Sequence, residues 1–325
     1  MLNKDLEREI LSIQDAGEFN SVALKVFKYQ LDNSAVYRKY VELLGVDVKT
    51  ISDIPFLPIE FFKNSKIISG NTEPELLFES SGTTGSAVSK HFLLSKEIYI
   101  KSFLKSFELF YGNVNSYRIL ALLPSYLERE NSSLVFMVDQ LIGQTEDPES
   151  GFYLSNFREL KLMLEKPRNK KTLLIGVSFG LLDFLEKYQP KLQDTIIMET
   201  GGMKGRRKEM IRAELHEKLK KGFGVDAIHS EYGMTELLSQ AYSKGHGIFN
   251  APPWMRFQIR EINDPMSIAE AGKTGGVNVI DLANLYSCSF IATSDLGREI
   301  PGKGLEILGR FDYSDVRGCN LMVAS

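Results

Sequence analysis

The stretch Phe78 to Phe92, FESSGTTGSAVSKHF, crowds hydroxyls and glycines between hydrophobic flanks. Ser80, Ser81, Thr83 and Thr84 supply hydroxyls beside backbone N–H groups, while Gly82 and Gly85 allow positive φ and close approach to a ligand. Lys90 adds a positive charge. A loop of this kind suits the β and γ phosphates of a nucleoside triphosphate whose α phosphate reacts. Its spacing is not the Walker pattern, because GxxxxGK[ST] needs Lys directly after the second glycine and Lys90 stands five residues after Gly85. P-loop kinases and GTPases are therefore disfavoured. Read alone, the run is equally a surface turn.

Four further stretches carry usable groups. In ETGGMK, Gly201 and Gly202 follow the apolar run TIIM, either as a platform for a flat base at a strand's carboxyl end or as a tight turn. In SEYGMTEL, Tyr232 offers a ring for a base, Gly233 a flexible joint, Thr235 a hydroxyl for a phosphate oxygen and Glu236 a ligand for magnesium. The alternative there is a helix start capped by Thr235 or Glu236. In ATSDLG, Asp295 in a loop after an apolar strand would face ribose hydroxyls, or would be an ordinary turn residue. In LGRFD, Arg310 presents a planar charged fork and Asp312 a flanking carboxylate.

These groups need elements to hold them. Residues 19–44 carry Phe19, Val22, Val26, Phe27, Tyr37 and Tyr40 at helical spacing with Asp32-Asn33-Ser34 as a break, which predicts two packed helices. Pro55 and Pro58 predict an extended connection over 54–62. The pattern then predicts helices over 95–111, 134–142, 157–164, 181–188 and 210–221, and strands over 117–123, 172–177 and 195–198. Alternation of strand and helix implies an α/β fold on a parallel sheet. Short β-prone runs at 257–262, 276–280, 289–293 and 305–308 predict an antiparallel part.

Among 325 residues, 25% are charged and the net charge is -3, so no basic field draws nucleic acid or an anionic membrane, and a small-molecule partner is expected. The lysines at 218, 220 and 221 read as a solvated helix face. Two cysteines and four histidines build neither a disulfide framework nor a zinc-finger spacing. The N-terminal MLNKDLEREILSIQD mixes charge with aliphatic residues and holds no long apolar run, so neither a signal peptide nor a membrane span is expected and the location is expected to be cytoplasmic.

The order SSGTTG, ETGG, EYGMTE, TSDLG, GRFD, over roughly residues 78 to 312, resembles the motif order of the adenylate-forming superfamily of acyl and aryl synthetases. The stretch LLPSYLERENSSLV and the ending DVRGCNLMV further resemble the acyl-protein synthetase (LuxE-like) family. The resemblance implies the large α/β N-terminal domain of that superfamily, with mixed parallel sheets, flanking helices and a smaller β-rich part, and without the usual small C-terminal domain. Residues 1–305 would be the core, 1–75 its helical N-terminal part, and 306–325 a short segment with the hinge-like Asp312 and a tail cysteine.

It also implies ATP-dependent activation of a carboxylic, fatty, acid to acyl-AMP, with Mg2+, then acyl transfer to a cysteine thiol, with an acyl-accepting or reductase protein as a further partner. Ser80 to Gly85 would grip the departing phosphates, Gly201 and Gly202 would line the adenine, and Tyr232 would pack on it. Thr235 and Glu236 would serve phosphate and magnesium, Asp295 and Arg310 the ribose, and Cys319 would accept the acyl group. This chain departs from the superfamily in placing Ser86-Ala87-Val88-Ser89 where a proline and a close lysine are usual, which leaves the role of Lys90 open.

Two other readings compete. One is a coenzyme A ligase resembling phenylacetate ligases, and the other is a non-catalytic nucleotide-binding subunit. His229, beside SEYG, either faces the site or is a packed strand residue. Cys288, in LYSCSFIAT, reads as a small buried hydrophobe, whereas Cys319 follows Arg317 and Gly318 in a tail that can swing.

Overall fold

The computed structural model describes residues 2–80, 88–123, 131–167, 169–201 and 210–311. Three helices open the chain, Lys4–Ser12, Ala16–Asn33 and Ala35–Leu44. The second starts at Asp15, whose carboxylate accepts the N–H groups of Gly17 and Glu18 at 2.7 and 2.9 Å. Ser34 both ends that helix and caps the next through Tyr37 N–H, so the break expected around 32–34 falls on one residue. The apolar faces close on Phe290, on which Tyr37 stacks at 6.1 Å and which Phe27 meets edge-on at 6.2 Å. Within this buried face Gln30 donates to the carbonyls of Asn284 and Leu285 and accepts Ser289 N–H, so its amide is satisfied. The helix Lys4–Ser12 stands where no element was expected; it buries Leu6 and Ile10, four residues apart on one face, beside Glu7.

The first sheet runs, in spatial order, Gly151–Phe152, Tyr117–Leu122, Lys171–Val177, Thr195–Thr200, His229–Tyr232 and Ala241–Ser243. The first five are parallel and the last antiparallel. Its central strands are buried on both faces, which is why they read as continuous apolar runs. The helices Lys96–Tyr111 and Ser133–Gln144 cover one face, while Ser178–Lys187 and Arg212–Phe223 cover the other. The last of these begins two residues later than its spacing predicts and ends at Gly224, φ 67.

The second sheet is antiparallel, in the order Ile248–Phe249, Gly304–Arg310, Phe290–Ile300, Gly275–Asp281 and Met255–Arg260. The extended connection after Pro55 contributes Leu57–Pro58, which pairs in parallel with Ile291 and Ala292. The strand Gly304–Arg310 runs across the 305/306 division, so residues 306–310 belong to this sheet. Asp295, expected in a loop, lies inside Phe290–Ile300 opposite Arg310, because the ladder continues through a bulge at Leu296/Gly297. Gly297 is required by close approach: a Cβ there would stand 2.7 Å from the Glu306 carbonyl oxygen and 2.9 Å from Val277 Cγ2.

Gly297→Ala should therefore push two paired strands apart and lower the unfolding free energy by on the order of 2 kcal/mol. Urea unfolding reads this as a lower midpoint at unchanged slope, and an unmoved midpoint would show that the strands yield freely.

Candidate nucleotide site

Parallel strands deliver their carboxyl ends to one edge, and the sequence-predicted groups gather there. Thr195–Thr200 ends at Gly201, φ 67, whose carbonyl accepts the Ser178 hydroxyl at 2.8 Å. His229–Tyr232 ends at Gly233. The hairpin Leu76–Glu79 and Lys90–Leu93 reaches the same edge, where Glu79 N–H donates to the Asn131 carbonyl at 2.9 Å. At the hairpin's open end Ser80 N–H donates to the Ser89 carbonyl at 3.0 Å and Ser89 N–H to Ser80 Oγ at 2.9 Å.

The two sheets meet at Tyr232. Its hydroxyl donates to Asp295 Oδ2 at 2.7 Å, and Arg310 Nε donates to Asp295 Oδ1 at 3.1 Å. Each Asp295 oxygen keeps a lone pair, so this nearly buried carboxylate can still accept from a diol. The Tyr232 ring is buried against Phe249 and Phe257, at 5.8 Å from each.

Thr235 and Glu236 are the central residues of a turn closed by Leu237 N–H on the Met234 carbonyl, and no helix starts there. Side chains hold its backbone. His91 Nδ1 lies 2.8 Å from the Thr235 carbonyl, and Asn284 Nδ2 donates to the Glu236 carbonyl at 2.7 Å. Asp281 accepts Leu238 N–H, Ser239 N–H and the Ser239 hydroxyl at 2.7, 2.9 and 2.6 Å. The Glu236 carboxyl is buried, and burial raises its pKa; the Ser89 hydroxyl, its own backbone N–H and Arg310 oppose this, while Asp295 adds to it.

Two more buried carboxylates flank this edge, on opposite faces of the same strand pair. Glu199 faces helix Arg212–Phe223, with His216 Nε2 at 3.4 Å, Arg212 Nε at 3.6 Å and the Ser178 hydroxyl at 3.3 Å. Burial raises its pKa, but His216, Arg212 and Ser230 outweigh that and the net shift is downward. Glu231 faces the other helical layer, bonded to the Thr200 hydroxyl among Phe107, Met137, Leu173, Met198 and Tyr242. Burial pushes its carboxyl up from 4.5 to about 7, Thr200 opposing and the Glu199 charge adding.

Of the sequence-predicted set, the structure brings Ser80, Gly201, Tyr232, Gly233, Thr235, Glu236, Asp295 and Arg310 to this edge. Lys90 is half-exposed, 3.7 Å from Glu79. Ser81, Gly82, Thr83, Thr84, Gly85, Gly202, Asp312 and Cys319 lie outside the described residues. His229 is packed, Nδ1 3.1 Å from the Tyr111 hydroxyl, away from Tyr232. Sequence reasoning passed over His91, Asp281 and Asn284. Their signal was a polar residue inside the apolar runs KHFL and VIDLAN.

No protein-family model matches the chain, and no curated protein sequence is similar to it. Solved structures are. An open conformation of 2-hydroxyisobutyryl-CoA ligase in complex with 2-HIB-AMP and CoA superposes with a TM-score of 0.65 at 12% identity, over 93% of this chain and 72% of the ligase. ATP-bound MatB from Rhodopseudomonas palustris gives 0.55 at 16% identity over 75% of this chain, and the luciferase-like enzyme of the mealworm Zophobas morio gives 0.51 at 14% over 74%. At these identities the likeness is one of fold, an α/β architecture shared with part of each of these enzymes. The match covers 49% of the MatB chain and 58% of the luciferase-like one. No helix among the described residues is long and apolar enough to cross a membrane.

Glu231 makes stability depend on pH. The unfolded carboxyl ionises near 4.5 and the folded one near about 7, so the unfolded chain binds fewer protons between those values and this group's contribution falls as pH rises through them. Glu231→Gln keeps an acceptor for Thr200 without the charge. It should be more stable than the parent at pH 8 by on the order of 2 kcal/mol, and the gap should close by about pH 5. Melting at the two pH values checks this, and a pH-independent difference would refute it.

Proposed function

We propose that the chain activates a carboxylic acid with ATP, forming acyl-AMP and pyrophosphate, and passes the acyl group to a protein thiol. The single observation that carries the reading is that Tyr232 and Arg310 both donate to Asp295 beside the Thr235-Glu236 turn and the Ser80–Ser89 end of the hairpin. Among the structural neighbours, a ligase in complex with 2-HIB-AMP and CoA and MatB with ATP bound support the same chemistry.

In this reading the Asp295 carboxylate takes the ribose hydroxyls, held in place by Tyr232 and Arg310. A substrate carboxylate oxygen attacks the α phosphorus; the new P–O bond forms as the bond to pyrophosphate breaks. Two anions approach, so positioning and neutralisation are the main contributions. Loop N–H groups and Thr235 would hold phosphate oxygens. Glu236 fits magnesium: it is a buried carboxylate that forms no salt bridge among the described residues, the nearby Arg310 being paired with Asp295, and Mg2+ is usually held by one or two carboxylates with substrate phosphates. Bound there, the ion would neutralise phosphate charge. In the second half a thiolate sulfur attacks the acyl carbon, the C–S bond forms, AMP leaves, and the thiol proton goes to solvent.

Exchange of labelled pyrophosphate into ATP, dependent on an acid and without coenzyme A, tests the first half across a panel of fatty and aryl acids. Glu236→Gln should cut exchange by at least about tenfold while melting within a few degrees of the parent. Loss of melting temperature with unchanged activity per folded molecule would make Glu236 structural.

Cys319 is the proposed acceptor, supported by the family resemblance and by its position after Arg317 and Gly318. The other cysteine is unsuited: Cys288 is fully buried, bonded to the Phe290 carbonyl, and burial pushes its thiol up to about 12. Cys319→Ser should keep pyrophosphate exchange and lose a hydroxylamine-sensitive acyl adduct, whereas Cys288→Ala keeps both. An adduct that persists in Cys319→Ser would favour the coenzyme A ligase reading, which the ligase complex with CoA already supports.

A further inference from the structure

His91 closes the hydroxyl-rich stretch without a role of its own there, yet it joins that stretch to the Thr235-Glu236 turn. It stands in Lys90–Leu93, the strand returning from the hydroxyl-rich loop, and is fully buried. Its Nδ1 is 2.8 Å from the Thr235 carbonyl, and its ring meets Phe62 edge-on at 5.7 Å. A carbonyl opposite Nδ1 requires the proton on that nitrogen, and Nε2 is then a bare acceptor with no partner among the described residues. Burial keeps the ring neutral, pushing it down to about 4 against the pull of the Thr235 carbonyl. Two residues earlier, Ser89 reaches the Glu236 carboxyl and also closes the loop on Ser80. The returning segment thus touches the side chain of Glu236 with one residue and the main chain of Thr235 with the other.

We propose that His91 is a positioning residue that couples the Lys90–Leu93 strand to the Thr235-Glu236 turn, so that Ser89 and the Glu236 carboxyl keep one geometry. What is bound there rests on the adenylation reading; the coupling rests on the hydrogen bonds alone.

The full-length chain is compared with His91→Leu, which keeps bulk without a donor, and His91→Asn, whose amide donates near the Nδ1 position. Amide hydrogen exchange without ligand is followed in peptides covering 88–93 and 233–239, together with the Mg2+ concentration giving half-maximal pyrophosphate exchange. His91→Leu should speed exchange by about tenfold in both peptides together and raise the Mg2+ requirement by about fivefold, and His91→Asn should restore most of both. The idea is overturned if 233–239 is unchanged in His91→Leu, or if His91→Asn is no better than His91→Leu. Should the leucine variant not fold, His91→Gln, whose amide reaches the Nε2 position instead, takes its place with the same expectation. A parent without pyrophosphate exchange would sink the adenylation reading alone, because the amide measurement still decides the coupling.

Discussion

The turn at residues 235–239 is fastened through its backbone, and much of the molecule is arranged to do it. His91 and Asn284 bind the carbonyls of Thr235 and Glu236, and Asp281 takes the N–H groups of Leu238 and Ser239, so the turn is held largely by its main chain. A buried carboxylate such as Asp281 would be costly alone, but three donors from the turn and Ala283 N–H satisfy it. The segment 281–289 is in turn held by Gln30 from the second helix. The second helix is therefore linked to the turn through a short chain of hydrogen bonds, Gln30 to Asn284 and Asn284 to Glu236.

Charge is distributed unevenly around this turn. Glu199 lies among His216, Arg212 and two serines, and the partners overcome the cost of burial. Glu231, the next strand's carboxylate on the opposite face, bonds the Thr200 hydroxyl among mainly apolar neighbours, and burial makes it favour the neutral form. Strand alternation makes this difference: Thr200 pairs with Glu231 and Glu199 with Ser230, so the two acids point into different helical layers. Asp295 stays usable because Tyr232 and Arg310 take one lone pair from each oxygen and share its charge.

Local patterns were legible wherever one rule acted alone. The parallel strands, their crossover helices and the single-residue break at Ser34 follow from apolar periodicity and capping chemistry within a few residues. Motif order likewise brought Tyr232, Thr235, Glu236, Asp295 and Arg310 forward as one set. The strand setting of Asp295 was not legible, because a turn-like TSDLG in isolation becomes ladder only when Gly304–Arg310 lies beside it. Leu57–Pro58 as a parallel strand depends in the same way on a partner more than two hundred residues away.

By itself, then, the sequence determined the alternation of elements, the α/β class and the residue types capable of nucleotide chemistry. Those depend on backbone propensity and on which positions in a short window must leave water. Only the tertiary structure decided which strand face each carboxylate occupies, that His91 reaches Thr235, and that Tyr232 joins the two sheets through Asp295. These contacts span 63 and 144 residues of sequence, and a hydrogen bond is directional over about 3 Å, so no local pattern can encode them.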